Sequence, residues 1–342
     1  MSSKDKVVGM FSGGLDSLLA HRIMALEGFE VVGVHFYTGF NEDLGREIAS
    51  GPRWKWTPSP QVAEAAGRLG VRLLPIDVSG DDYLEIISNP RYGHGSAANP
   101  CLDCRILLMK KAKEVMEAEG AALVFTGEVL GQRPMSQLRQ SLDLVMKRSG
   151  LEGRLLRPLS ARLLAPTIPE MEGTVNRENL FAFSGRSRKP QRELAARLDI
   201  TEYPPSGGGC HLTDEGFGRK YDDLLAHLEG DAVTLRDMNS LKTGRHLRLS
   251  GGIKIILGRD ERENAYLEEL FEGRVWTFNA CDAPGATAFV PGDPNRDEFP
   301  RIAAITARYG KARERDSVRV LARLGDEAIE FTVRPAKQEE IE

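Results

Sequence analysis

Apolar positions in the first 165 residues follow two periods that alternate along the chain. Short, nearly unbroken apolar runs at 7–11, 31–37, 71–78, 122–126 and 155–159 have the length of buried strands. Helical patterns separate them at 16–26, 62–69 and 104–118, the last with Lys110, Lys111 and Lys113 in its middle. Strands joined through helices predict a parallel sheet covered on both faces, an α/β, doubly wound architecture. Ligands of such sheets bind outside the carboxyl ends of the strands. Gly13-Gly14, Thr126-Gly127 and the loop carrying Cys101 all fall at strand ends or just beyond them.

The pattern then changes twice. Residues 166–230 are less regular, with helices expected at 189–198 and 217–228 and a Pro204-Pro205-Ser206-Gly207-Gly208-Gly209-Cys210 loop between them. From about 231 short β-like pieces appear at 246–249, 253–257, 274–279, 287–290, 318–324 and 329–333, interrupted by one helical stretch at 261–270. The expected organisation is a doubly wound domain at 1–165, an extension at 166–230 carrying a cysteine, and a second, smaller α+β domain at 231–342.

Ser12-Gly13-Gly14-Leu15-Asp16-Ser17 follows the first strand and opens the first helix. Glycines let backbone amides approach a phosphate, and a helix N-terminus favours an anion. Ser12 and Ser17 add hydroxyl donors. Asp16 would repel phosphate unless a cation intervened, which points to Mg²⁺. The loop lacks the lysine of the Walker A pattern and the spacing of a dinucleotide fingerprint.

Composition sets outer limits. With 342 residues, 41% hydrophobic and 28% charged, the chain can bury sizeable cores. A formal net charge of -4 argues against a generally basic nucleic-acid binder, so any nucleic-acid contact must come from local patches. The first apolar run is broken at once by Ser12-Gly13-Gly14, against a signal peptide, and no run approaches the ~20 apolar residues of a membrane helix. A cytoplasmic protein with no membrane partner is expected. In a reducing compartment its four cysteines, Cys101, Cys104, Cys210 and Cys281, are metal ligands or reactive thiols more often than disulfides.

The hexapeptide at 12–17 resembles the pyrophosphate loop of the N-type ATP pyrophosphatases, which split ATP between the α and β phosphates and adenylate their substrates. The resemblance implies an adenine nucleotide alpha hydrolase-like fold, ATP as substrate, and Val34, His35 and Phe36 near the adenine. The succession Asn99-Pro100-Cys101-Leu102-Asp103-Cys104, then Thr126-Gly127-Glu128-Val129-Leu130-Gly131-Gln132 with Ser136-Gln137, then Arg157-Pro158-Leu159 and Gly209-Cys210, resembles tRNA 4-thiouridine synthetases and, more loosely, tRNA 2-thiouridylases. That likeness covers about 1–215. It implies tRNA and a sulfur donor (sulfide or a persulfide-carrying protein) as partners, and places Glu128 and Gln132 where they position nucleotide or base.

Cys101 and Cys104 stand at C-x-x-C spacing at a helix start, where the helix N-terminus favours thiolate. Cys210 sits on a glycine-rich loop able to reach the same strand ends. Three cysteines with a fourth position open suit a [4Fe-4S] cluster, and some RNA thiolation enzymes similar to this chain carry one. Two other readings stand beside it. Cys210 carries a persulfide resolved by Cys101 or Cys104 without metal, or Zn²⁺ is held with His94 or His211 completing the set. Cys281 is expected to be a small buried hydrophobe.

Residues 257–267 followed by Trp276-Thr277-Phe278 and Ala283-Pro284-Gly285-Ala286 resemble the RNA-binding domain of the NFACT family over about 240–330. Arg301, Arg308, Lys311, Arg313, Arg315, Arg319 and Arg323 form a basic run there. A second group, Arg133, Arg139, Lys147, Arg148, Arg154 and Arg157, lies beside the expected active site. Trp276 and Phe278 alternate on one strand face and read as core. The resulting expectation is an ATP-dependent tRNA uridine thiolase with Asp16, Cys101, Cys104 and Cys210 as catalytic residues. Its alternatives are amidation by the same adenylation logic and a non-catalytic RNA-binding adaptor. The oligomeric state stays open, a homodimer included.

Overall fold

The computed structural model describes residues 5–41, 57–205, 209–228, 233–249 and 251–341. The chain divides into two compact units, Met1–Glu215 and Gly216–Glu342.

The first unit runs β1 (Lys6–Met10), α1 (Leu15–Leu26), β2 (Glu30–Tyr37), α2 (Pro60–Arg68), β3 (Arg72–Asp77), α3 (Asp81–Ser88), α4 (Cys101–Ala118), β4 (Val124–Phe125), α5 (Arg139–Ser149), β5 (Leu155–Leu156), α6 (Ile168–Met171) and α7 (Lys189–Arg197). Its five strands are all parallel, in the order β3-β2-β1-β4-β5. The expected doubly wound sheet is therefore present. β2 and β4 flank β1 on opposite sides, so the chain reverses its direction of winding there and opens a crevice at the carboxyl ends of β1 and β4. One core packs Val7, Leu19, Met24, Leu123 and Phe125 together, and another packs Val8, Val32, Met109, Ala112 and Val124. Successive strand residues such as Val7 and Val8 thus serve opposite faces, as the pleat requires.

The stretch expected as a separate extension from 166 belongs to this unit up to 215. Leu180 and Leu194 join the core with Leu19 and Phe125. The Phe181 and Phe183 amides donate to the Pro158 and Leu159 carbonyls at 2.9 and 2.7 Å. The residues after 205 include 206–208 of the Pro/Gly loop, which lie outside the described residues.

The second unit contains α8 (Glu215–Ala226), α9 (Leu235–Ser240), β6 (Arg245–Arg248), β7 (Lys254–Leu257), α10 (Glu261–Phe271), β8 (Trp276–Ala280), β9 (Ala288–Val290), α11 (Phe299–Arg308), β10 (Val318–Leu324) and β11 (Glu327–Val333). Its six strands form one antiparallel sheet in the order β11-β10-β8-β9-β7-β6. The division falls near 216 rather than 231 because α8 is tied to this sheet. Asp223 binds Arg248 at 2.8 Å and also Lys254, and Lys220 donates to the Leu241 and Gly244 carbonyls at 3.0 and 3.2 Å. Trp276 and Phe278 are buried and meet Phe299 of α11 edge to face, with centroids 4.8 and 5.2 Å apart, so they are core.

Candidate active site

The turn from β1 to α1 builds the first wall of the site. Gly13 has φ of +75°, a left-handed conformation that a side chain disfavours. Gly14 is the N-cap of α1 and has no side chain to cap it, which leaves first-turn amides available to an anion. The Ser17 hydroxyl donates to the Met10 carbonyl at 3.1 Å and accepts from the Ser12 amide at 3.1 Å. Ser17 therefore shapes the loop from within, while Ser12 is exposed. From the neighbouring strand β4, Gly127 comes against the same turn. A Cβ on Gly127 would lie 2.5 Å from the Asp16 backbone, so only glycine permits this approach.

A cleft of about 900 Å³ opens above these strand ends. Ser12, Gly13, Gly14, Asp16, Ser17, Val34, His35, Phe36, Thr126, Gly127, Glu128 and Gln132 all line it. Every nucleotide-binding residue expected from the sequence is thus brought to one place. The His35 ring is buried, with Nδ1 2.7 Å from the Phe11 carbonyl.

Asp16 has two unlike oxygens. Oδ2 accepts from Gln132 Nε2 at 2.7 Å and faces Arg188 at 3.6 Å. Oδ1 is buried and has no hydrogen-bond partner among the described residues. A buried carboxylate oxygen without a donor is costly, and a hard cation is the natural complement of such an atom. Asp16 therefore fits Mg²⁺.

Glu128 is engaged differently. Its Oε2 accepts from Arg157 at 3.0 Å and from the Thr126 hydroxyl at 3.2 Å, and its Oε1 lies 3.6 Å from Arg105. Burial pushes this carboxyl up, but the Arg157 and Arg105 charges more than reverse that and hold it below its ordinary value. Arg157, counted among the basic residues beside the site, is itself buried, so it serves Glu128 and not an outer surface.

Three arginines missed as a group converge in the cleft. Arg105, Arg133 and Arg188 line it. Burial lowers the Arg133 pKa, and the charges of Arg105 and Arg188 lower it further. Guanidinium groups stay charged all the same, so their mutual repulsion marks a place for an anion. Arg105 follows Cys104 on α4 and Arg188 is the N-cap of α7. Their separation in sequence hides the cluster.

The cysteines gather at one side of the same cleft. α4 begins at Cys101, so Cys101 and Cys104 stand three apart in its first turn and share a face. Cys210 forms a β-bridge with Asn41, and the His211 amide donates to the Phe40 carbonyl at 2.8 Å, which brings the loop to the end of β2. Asn41, Arg105 and Gly209, next to these cysteines, line the cleft. Burial pushes the Cys210 thiol up to about 12, helped by the Cys104 and Cys101 sulfurs nearby. Burial also raises Cys104, so the expected helix-terminus lowering does not prevail there. Tyr83, unnoticed in the sequence, is buried and donates its hydroxyl to Cys104 Sγ at 3.3 Å. Asn99 donates to Cys101 Sγ at 3.0 Å. The expected zinc partner His94 has Nε2 2.7 Å from the Ile87 carbonyl. Among the described residues no group of three or more His, Cys, Asp or Glu side chains is arranged to hold a metal ion. Cys281 is exposed rather than buried. It lies one residue past the end of β8, beyond the inward-facing Trp276 and Phe278.

In the second unit three of the seven residues of the basic run have acidic partners. Arg319 binds Asp282 at 2.8 Å and Glu330 at 3.6 Å, Arg313 binds Glu314 at 3.0 Å, and Arg301 faces Glu298 at 3.8 Å.

The first unit is thus a doubly wound parallel sheet with a glycine-rich loop at its β1–α1 turn, and the second an antiparallel-sheet unit. Comparison with known proteins agrees with this. Residues 2–162 match the family model described as thiamine biosynthesis protein (ThiI), and residues 244–342 match that of the NFACT protein RNA binding domain. The tRNA-specific 2-thiouridylase MnmA of Azorhizobium caulinodans is 25% identical over 70% of this chain and 59% of its own. That of Acidothermus cellulolyticus is 27% identical over 70% and 63%. The chain thus spans about six-tenths of the length of these relatives. The Paraburkholderia xenovorans MnmA is 24% identical over 91% of this chain and 82% of its own. Among solved structures, a 4-thiouridine synthetase–RNA complex with bound ATP overlaps 57% of this chain and 52% of that one at 18% identity and a TM-score of 0.35. The U34-tRNA thiolase NcsA from Methanococcus maripaludis, with its [4Fe-4S] cluster, overlaps 70% and 71% at 15% identity and 0.32.

Proposed function

We propose that the chain is an ATP-dependent tRNA sulfurtransferase that adenylates a uridine carbonyl and replaces its oxygen with sulfur. The observation that carries this reading is the convergence at one cleft of a phosphate loop, three arginines and, at its side, three cysteines. The thiouridylase relatives support sulfur as the inserted atom, and the RNA-binding match over 244–342 supports RNA as the substrate.

ATP lies with its phosphates on the amides of the 12–17 loop. The uracil carbonyl oxygen attacks the α-phosphorus, an O–P bond forms, and pyrophosphate leaves. Arg105, Arg133 and Arg188 offset the negative charge that develops. Magnesium, when bound at Asp16, supplies further charge neutralisation at the phosphates. A sulfur nucleophile then attacks the activated carbon, and AMP departs with the original oxygen.

Cysteine sulfur is the usual donor of a [4Fe-4S] cluster, so the chemistry of Cys101, Cys104 and Cys210 suits one. Their arrangement here is not a formed ligand set, and no step above depends on a cluster. Metal analysis and absorbance near ~400 nm of anaerobically purified protein decide the point. Iron lost on replacing any one of the three cysteines supports a cluster. Iron-free protein that thiolates tRNA under reductant supports a persulfide on one cysteine resolved by a second.

The decisive test for the whole reading is nucleoside mass spectrometry of tRNA from a deletion strain, with pyrophosphate release by the purified chain. Loss of one thiolated uridine, restored by the chain with ATP and a sulfur source, is expected. An unchanged set of thionucleosides overturns the reading. A missing nucleoside that carries nitrogen instead of sulfur gives the site to amidation.

A further inference from the structure

We infer that Gln191, on α7, is a positioning residue for the cation-facing oxygen of Asp16, acting through Gln132. The inference rests on the reading of Asp16 as a magnesium ligand and names a residue that holds it ready.

Gln191 is fully buried, with no exposed surface. Its Nε2 donates to Gln132 Oε1 at 2.8 Å, and Gln132 Nε2 donates to Asp16 Oδ2 at 2.7 Å. An amide side chain has a donor end and an acceptor end, and turning it over exchanges them. If Gln132 turned over, its oxygen would face the Asp16 carboxylate and repel it. The Gln191 donor prevents this by claiming the Gln132 oxygen. With Gln132 oriented, Oδ2 is engaged and Oδ1 is left buried, without a hydrogen-bond partner among the described residues, on a side chain that lines the cleft. Gln191 lies three residues after Arg188, the N-cap of α7, so the start of one helix supplies both the arginine that faces Asp16 and the amide that holds Gln132. Burying an amide in an apolar environment is unfavourable unless its hydrogen bonds are made. Gln191 Oε1 has no partner among the described residues, so packing and solvation do not account for a glutamine here. Its donor end does.

The test uses Mn²⁺ as the probe, binding to the full chain with a non-hydrolysable ATP analogue, followed by electron paramagnetic resonance and calorimetry. Gln191→Met keeps the volume and removes the donor. It should weaken Mn²⁺ binding about five- to ten-fold while the analogue alone, without metal, binds within about two-fold of the native chain. Gln132→Met should weaken Mn²⁺ at least as much. The double variant should be no worse than Gln132→Met alone, because Gln191 acts only through Gln132. Gln191→Asn, one methylene too short to reach, carries the same expectation if the methionine variant does not fold. Additive losses in the double variant, or a folded Gln191 variant with native Mn²⁺ affinity, overturn the inference. Native Mn²⁺ binding without pyrophosphate release on any RNA would instead overturn the proposed function and leave this assignment standing.

Discussion

The cleft of the first unit and the basic run of the second use arginine in different ways. Residues 301–323 carry seven Lys and Arg, yet Arg319, Arg313 and Arg301 have acidic neighbours within 4 Å. Arg105, Arg133 and Arg188 are far apart in sequence, yet they line one cavity, where Arg105 and Arg188 also face Glu128 and Asp16 at 3.6 Å and both press on Arg133. Counting charges along a chain therefore misjudges both regions. Exposed ion pairs neutralise locally and contribute little to stability, whereas like charges gathered in a cleft need an anion to make them favourable.

Removing the cation's carboxylate should separate the two regions most sharply. Asp16→Ala is expected to lower pyrophosphate release at least ~10³-fold, while tRNA binding and the thermal midpoint stay near native. Unchanged release would show that the loop works without this side chain.

Next come the cysteines. Alanine at Cys101, Cys104 or Cys210 should each bring tRNA thiolation to background, and Cys281→Ala should leave it intact. Thiolation that survives in any of the first three would break the trio apart.

Arginine variants test the comparison directly. Arg133→Ala should raise the half-saturating ATP concentration about ten-fold or more. The triple change Arg313→Ala/Arg315→Ala/Arg319→Ala should weaken tRNA only a few-fold. Three unpaired arginines on phosphates would flatten the salt dependence of affinity by about two to three in log–log slope. Existing pairs with Asp282, Glu330 and Glu314 should hold the change below that. A full loss of slope would mean that RNA displaces those acids.

The smallest effect is on stability. His21 is buried in α1 between Phe11 and Phe125, and burial lowers its pKa to about 4. Its ordinary value is near 6.5, so between those values the unfolded chain binds the extra proton. Stability should therefore fall as pH drops through that window, by roughly 3 kcal/mol at most. Urea titrations at pH 7 and 5 check this, and His21→Leu should flatten the response. Part of it should persist, because burial lowers His246 of the second unit to about 3, with Lys220 and Lys254 adding to the shift.

Much of the fold was legible because each element announces itself locally. Apolar runs mark β1 to β5, and the glycines of 12–17 mark the turn from β1 to α1. The sequence pattern does not mark α3, α5, α6, α9 or α11. α5 mixes buried Leu142 and Val145 with exposed charge, and α11 opens on Phe299-Pro300 directly after the polar Arg296-Asp297-Glu298. Amphipathic patterns this short become clear only against the sheet they cover.

The chain's own order determined the strand-and-helix alternation, the phosphate loop and the C-x-x-C pair, since each depends on residues within a few positions of one another. Tertiary structure alone decided which distant groups share a site. It brought Cys210 to Cys101 and Cys104 through the bridge to Asn41, buried Arg157 against Glu128, and set Gln191 behind Gln132 and Asp16. Hydrogen bonds and charges act over a few ångströms of space, and the parallel order β3-β2-β1-β4-β5 is what makes those distances short.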